Sequence, residues 1–278
     1  MANNIIQQAV VQIKTMIEDA IITNGINGKN NLIRSQKPIN VLHDAVKQSF
    51  ISNGVNPSNI YPTLHNHSNE QTLAGFFKKK YQDICIFPND ITPQKEILTF
   101  DGILNGKIDN FGKNFTEHIL SINVRSQLSS IEKNFDTLSE KTVAEALNLH
   151  LRCEKMVLGE VYMIPVYAYD DEKAKHHQVA FKNNKKVKNH IKKYTSFFNA
   201  INNRKNTKGA EYKYERVCLL IVDFSSNIPI IYNTDRELRI AGLLDKTDKL
   251  NMNQLNFDSF STKLLNVYEK RFGYNKLI

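Results

Sequence analysis

Five apolar runs rich in β-branched and aromatic residues, separated by two stretches of helical period, restrict the fold of this 278-residue chain more than any other feature. The runs cover residues 83–87, 98–104, 119–124, 156–169 and 217–224, each bounded by Pro, Gly, Asn or charged residues. Helical patterns fall between them at 127–152 and 185–203. Strands and helices in this order predict an α/β fold with a central mixed β-sheet flanked by helices. Ahead of the sheet, Ile6, Val10, Ile13, Ile17 and Ile21 predict an amphipathic helix ending near the turn at 25–28, and Leu42, Val46 and Phe50 predict another over 41–50. Ser68, placed before Glu70, Leu73 and Phe77, predicts a capped helix over 68–78. Near the carboxyl end Thr234-Asp-Arg-Glu237 reads as a capping box, and a last helix over 259–272 stops at Gly273. With no repeat and no low-complexity linker, the expectation is a single domain: an N-terminal helical arm (1–68), a core (69–225) and a C-terminal helical part (226–278).

Bulk properties narrow the class. Apolar content of 41% with 23% charged residues is ordinary for a globular protein. No apolar run approaches the roughly 18 to 20 residues that cross a bilayer, and the N-terminus lacks a signal-peptide layout, so a cytoplasmic location is expected. Cys85, Cys153 and Cys218 are odd in number and lie in or beside apolar segments, which predicts buried, reduced packing residues. The eight His residues include His65, His67, His176 and His177, but none stands with Cys or a second His pair at zinc-ligand spacing.

The charge is unevenly placed. Lys173 opens a run of eleven basic residues that ends at Lys208, with no Asp or Glu between Ala174 and Ala210. Setting those eleven aside leaves 26 Lys+Arg against 28 Asp+Glu, a balance of −2 in place of +9. Basicity this local is what a surface meeting a polyanion requires. Within the run Val187, Ile191, Tyr194, Phe198 and Ile201 recur at steps of four and three, predicting a docked helix that displays Lys188, Lys192 and Lys193 elsewhere.

Four segments carry residue types suited to chemistry. Asp83 stands at the mouth of an apolar strand, where an acid can reach a divalent cation, with Lys78, Lys79 and Lys80 just upstream. On the run at 118–127, alternation puts Ser121, Asn123 and Arg125 on one face and Ile122 and Val124 on the other. In the following helix Ala144, Leu147 and Leu151 mark the expected buried stripe, with Glu145 beside it. Glu160 sits inside an apolar strand and needs a partner or a metal if buried. Each has a bland alternative: a turn Asp, a solvated edge strand or a surface ion pair.

Taken together, Gln82-Asp83 before a strand, a later strand ending Val124-Arg-Ser-Gln127, a helix reading Ala144-Glu-Ala-Leu-Asn-Leu-His150 and a long apolar strand after it resemble a type II restriction endonuclease of the PD-(D/E)xK nuclease superfamily. The resemblance spans residues 70–225, and is to the subgroup whose second metal-binding carboxylate has moved from the central strand to the next helix. It implies a restriction endonuclease-like fold, Asp83 and Glu145 as Mg²⁺ ligands, and Ser121, Asn123 and Arg125 on the catalytic strand. No Lys lies on that strand, so Lys133 or Lys141, or the metal alone, would activate the water. Asp101 is the alternative to Asp83 as first ligand. The implied activity is Mg²⁺-dependent cleavage of double-stranded DNA at a specific site, leaving a 5′-phosphate, by a homodimer with a companion DNA methyltransferase. Lys182, Lys185, Lys186, Lys188, Lys192, Arg204 and Lys205 would meet the DNA, with Asn183, Asn184, Asn202, Asn203 and Arg204 available to read bases. Two other readings fit the same residues: a non-catalytic DNA- or RNA-binding protein using the basic segment 173–208, and a partner-binding protein whose basic run is merely solubilising.

Overall fold

The computed structural model describes residues 2–68, 70–128, 134–182 and 185–278. The chain runs α1 (Ala2–Arg34), α2 (Lys37–Ile51), β1 (Ile60–Tyr61), β2 (Gln71–Ala74), β3 (Lys79–Gln82), β4 (Ile84–Ile86), β5 (Glu96–Ile97), β6 (Ile108–Asp109), α3 (Gly112–Glu117), β7 (Leu120–Ser126), α4 (Phe135–His150), β8 (Val157–Pro165), α5 (Asp171–Lys175), α6 (Val187–Ile201), β9 (Arg216–Asp223), β10 (Ile230–Tyr232), α7 (Asp235–Ile240) and α8 (Phe260–Phe272). Six strands form the central sheet in the order β1-β4-β7-β8-β9-β10. β7, β8 and β9 are parallel, and the pairs towards either edge are antiparallel, so the sheet is mixed as the strand and helix order predicts. Every residue of β8 is buried, the signature of a strand with neighbours on both sides and helices on both faces.

Period-2 alternation sorts the strands between two apolar layers. Leu120, Ile122, Val124, Val157 and Val161 face the layer of α1, α2 and α8, while Leu158, Tyr162, Ile164, Val217 and Leu219 face that of α4 and α6. The N-terminal segment is therefore no arm. Ile6, Val10, Ile13 and Ile17 of α1 are fully buried in the first layer and make it part of the fold. At Asn24 and Gly25 the helical path breaks, with Gly25 at φ +58, and it then resumes to Arg34. Gly is the residue that adopts this backbone without a Cβ penalty, so the expected stop is a bend.

Two expectations about local structure are corrected. The helix expected over 68–78 is not formed by residues 70–78: β2 and β3 pair as an antiparallel hairpin, its tip closed by a hydrogen bond from the Gly75 amide to the Lys78 carbonyl. The helical spacing of Leu73 and Phe77 has another cause, since Leu73 enters the core and Phe77 is exposed at the tip. Nor is 98–104 a strand. Only Glu96–Ile97 pairs, with β6, and the chain then turns back while Leu98 and Leu104 pack against Ala74 in a small separate core. The capping box is present as expected: Thr234 Oγ1 accepts from the Glu237 amide at 3.2 Å and Glu237 Oε2 from the Thr234 amide at 2.9 Å. All three cysteines are free and buried. Among the described residues no helix is long and apolar enough to cross a membrane.

Candidate functional site

Where the antiparallel ladder between β4 and β7 ends, the Asp83 side chain replaces the missing backbone partner, and its Oδ2 accepts from the Val124 amide at 2.7 Å. Just before it, Gln82 turns inward and accepts from the Ser121 hydroxyl at 2.9 Å, which fastens the β3–β4 bend to β7. That bond uses the Ser121 hydroxyl, so Ser121 positions the bend and its oxygen is engaged. Asn123 and Arg125 follow on the same face of β7, and Glu160 pairs in register with Asn123 from β8. The crossover helix α4 covers this face and brings Glu145 and Thr142 down onto it. A polar cluster thus lies inside an otherwise apolar layer.

The groups are tightly linked. Arg125 Nη1 donates to Thr142 Oγ1 at 2.9 Å and lies 3.2 Å from Glu160 Oε1, while its Nη2 pairs with Glu145. Lys80, from β3, pairs with the other Glu145 oxygen. Glu160 is wholly buried and lacks a well-formed hydrogen bond on either oxygen. Burial pushes its pKa up to about 7, and Asp83 adds to the rise, against the pull of Arg125, Lys80 and the Asn123 amide. Burial and the neighbouring Arg125 charge bring the Lys80 ammonium down to about 8. Asp83 is the common electrostatic neighbour: its charge acts on Lys80, Arg125, Glu160, Glu70 and His43 alike. Strongly displaced protonation equilibria gathered around one point are characteristic of working sites.

Among the described residues no three His, Cys, Asp or Glu side chains converge closely enough to hold a metal ion. The donor chemistry nevertheless suits a hard cation, since Glu145 and Glu160 are buried carboxylates and Glu160 has unfilled acceptor capacity. Lys80 and Arg125 stand as the counter-charges of Glu145. Mg²⁺ held by Asp83 and Glu145 would replace positive charge already present there and bring none to a neutral cluster.

Helix α4 differs from its expected orientation. Ala144 and Leu151 are exposed, and the buried stripe runs through Leu138, Thr142, Glu145, Ala146 and Leu149. Glu145 is therefore on the inward face itself, because Arg125 and Lys80 supply the charge that an inward carboxylate needs. Lys141 is exposed and Lys133 lies outside the described residues, so neither is placed at the cluster. Lys80 is, and the sequence held its signal: alternation along 80–83 sends Lys80 and Gln82 the same way, towards β7. Asp101 is exposed in the turn after β5, away from β7. Asn148, one turn beyond Glu145, is buried and clamps the β2–β3 tip: its Oδ1 accepts from the Phe77 amide at 2.7 Å and the Lys78 amide at 3.0 Å. Gly75 sits against this amide, where a Cβ would come within 2.2 Å of Asn148 Nδ2.

The basic run does not form one surface. Helix α6 docks through Ile191, Tyr194, Phe198 and Ile201 as its period predicts. Its lysines meet acids from other segments: Lys188 pairs with Asp245 and Lys192 with Asp248, both at 2.6 Å, and Lys193 with Asp136 at 3.1 Å. Lys182 pairs with Asp171. Because α6 leads from the end of β8 back to the start of β9, Lys185, Lys186 and Lys188 lie at the end of the sheet where Arg125 emerges, and residues 202–208 lie at the other end. Arg204 is a correction to its expected DNA contact. It is buried, donates to the carbonyls of Glu154 and Ala210, and pairs with Glu215 at 3.1 Å. Asn202 is likewise spent inside, on the Val217 amide and the Gln254 carbonyl. Lys205 is exposed and lines a polar cavity of about 510 Å³ with Asn199, Asn203, Asn206 and Lys213. Asn183 and Asn184 lie outside the described residues. No protein-family model matches this chain, and neither do any of the curated proteins or solved structures with which it was compared.

Proposed function

We propose that this chain is a Mg²⁺-dependent endodeoxyribonuclease of the type II restriction class, hydrolysing phosphodiester bonds of double-stranded DNA at a short specific site. One observation supports it above the others. The acid that heads β4, the polar pair Asn123 and Arg125 on the neighbouring β7, and a glutamate from the helix crossing to the parallel β8 all belong to one polar cluster. An acid before one strand, polar residues on the next and a glutamate on the following helix are the elements that the resemblance to the displaced-carboxylate nucleases implies.

In this reading Asp83 and Glu145 would hold Mg²⁺, which when bound would supply Lewis-acid chemistry to a phosphoryl oxygen and to a water. Arg125 stays protonated at any working pH, and its planar donors suit the charge that grows on the phosphoryl oxygens; it accepts no proton. Lys80 supplies a second cation beside Glu145, a place that no lysine on β7 fills. Asn123 pulls the buried Glu160 towards its charged form, less strongly than burial pushes it the other way. Cutting both strands of a symmetric site takes two such centres, hence a homodimer.

The test is incubation of the purified protein with plasmid DNA and Mg²⁺, repeated with EDTA. Discrete fragments that disappear with the chelator support the nuclease. Retarded but intact DNA would assign the chain to the non-catalytic nucleic-acid-binding class, in which Lys80 and Arg125 neutralise Glu145 permanently.

A further inference from the structure

We propose that the tip of the β2–β3 hairpin is a docking surface for duplex DNA, in which Phe76 and Phe77 press against bases while Lys78 and Lys79 hold the backbone. The choice of DNA as occupant rests on the nuclease reading above; the surface itself rests on exposure, rigidity and charge.

Phe76 and Phe77 are 37% and 51% exposed, and Tyr81, on the same hairpin, 65%. The rings are organised: Phe76 stacks on Phe100 at 5.3 Å between centroids and meets Phe77 edge-on at 5.1 Å. Exposed apolar side chains gathered in one place mark an interaction site far more than the same residues scattered. The tip is also held in advance. The Phe76 amide donates to the Asn148 carbonyl at 2.7 Å, the Asn148 side chain takes the next two amides, and its Nδ2 donates to the Lys78 carbonyl at 3.1 Å. A buried amide committed to a surface turn reduces the ordering cost of whatever binds there.

Charge selects the partner. Lys78 and Lys79 are exposed beside the rings, and Lys107 is exposed on the neighbouring hairpin. Of the acids on that second hairpin, Glu96 and Asp109 share Arg152 and Asp101 is exposed in its turn, so the four cations Lys78, Lys79, Lys107 and Arg152 exceed these three acids by one. The surface is therefore aromatic with unbalanced positive charge, the combination by which apolar wedges enter a duplex base step while basic side chains hold its phosphates. Position completes the case: Asn148 stands one helical turn from Glu145, and Lys80 of the same hairpin touches Glu145. A duplex laid on the tip brings its backbone to the cluster without leaving the hairpin.

The experiment measures affinity for a labelled duplex with EDTA present, so that binding is read without cleavage, across a salt series. Phe76→Ser/Phe77→Ser is expected to weaken binding about 10-fold or more at unchanged salt slope, because apolar wedges contribute without releasing counterions. Lys78→Ala/Lys79→Ala is expected to lower the slope of log K against log salt by about 2. Phe77→Ser alone removes only an exposed ring and carries the test if the double variant fails to fold. A wild-type protein that binds DNA while the Phe variants bind it equally well overturns the proposal and leaves the nuclease reading standing. If the same variants instead convert a sedimenting dimer to monomer at unchanged DNA affinity, the surface belongs to a second copy of the chain and the proposal fails. A wild-type protein that neither binds nor cuts DNA removes both.

Discussion

Two buried ion clusters lie on the α4–α6 face of one sheet, and they are built to opposite standards. At the end where β9 begins, Glu215 accepts from the Leu158 amide at 2.8 Å and meets Arg271 at 2.8 Å, Arg204 at 3.1 Å and His150 at 3.6 Å. Burial alone would raise its pKa; His150, Arg271 and Arg204 more than offset that and hold it at about 2. Near the other end Glu160, equally buried, has Arg125 at 3.2 Å and no well-formed hydrogen bond, and is pushed up to about 7. One cluster is closed and satisfied, with nothing left to offer a ligand. The other holds charge that its surroundings do not fully stabilise, a state that persists in a folded protein where something else binds.

The largest expected effect breaks the closed cluster. Arg204→Ala removes a buried cation that also ties down the loop at 207–210, leaving Glu215 under-compensated. Loss of stability by about 3 to 5 kcal/mol in denaturant melts is expected, with DNA cleavage intact at temperatures where the variant stays folded. Cleavage lost at full stability would place Arg204 in the working site and undo the contrast. Next come Asp83→Asn and Glu145→Gln, which are expected to reduce cleavage by about 10²-fold or more each at temperatures where the variants stay folded, Glu145→Gln also losing stability because it leaves Lys80 and Arg125 without their buried counter-charge. Wild-type rates in both would remove these two acids from the site.

The contrast also explains how much the sequence tells. The sheet was legible because β8 and β9 carry long apolar runs and β7 alternates apolar with polar residues, and α6 because its apolar step matches a helix. The polar cluster was legible in its parts, since alternation alone groups Ser121, Asn123 and Arg125. What escaped depends on partners distant in the chain. Lys80 gains its role from Glu145, 65 residues on, and Arg204 loses its expected one to Glu215 and backbone carbonyls. Residues 71–78 carry a helical spacing yet form the first strand and the tip of a hairpin, because that tip is fixed by Asn148 of α4, which no local pattern announces. Local period reads what a segment buries; it does not read what a polar side chain will meet.

The third prediction uses pH to separate the clusters. The Glu160 carboxyl has a folded pKa of about 7 against an ordinary 4.5, so the folded state holds its proton longer than the unfolded chain and stability falls as pH rises from about 4.5 to 7. Glu160→Gln keeps the shape without that dependence and is expected to be more stable than wild type above pH 7, by up to about 3 kcal/mol, with the advantage shrinking to little near pH 4.5. Glu215 has the opposite sign: its contribution is complete above about 4.5 and is lost as pH falls towards 2. A stability difference between wild type and Glu160→Gln that did not vary with pH would show that Glu160 is as well stabilised as Glu215.

The smallest expected effect concerns the basic helix. Lys188 and Lys192 project to the surface, but Asp245 and Asp248 already stand 2.6 Å from their ammonium groups. A phosphate must compete with those carboxylates, so each lysine releases less than one counterion on binding DNA. Lys188→Gln/Lys192→Gln is expected to change the salt slope of DNA binding by less than about 1 in total, against about 2 for Lys78→Ala/Lys79→Ala at the hairpin tip. If the helix pair instead lowers the slope by about 2, the aspartates give way to DNA and the longest basic stretch in the chain is a backbone contact after all. The hairpin and the helix would then share the duplex, and the unsatisfied cluster between them would face DNA from both sides.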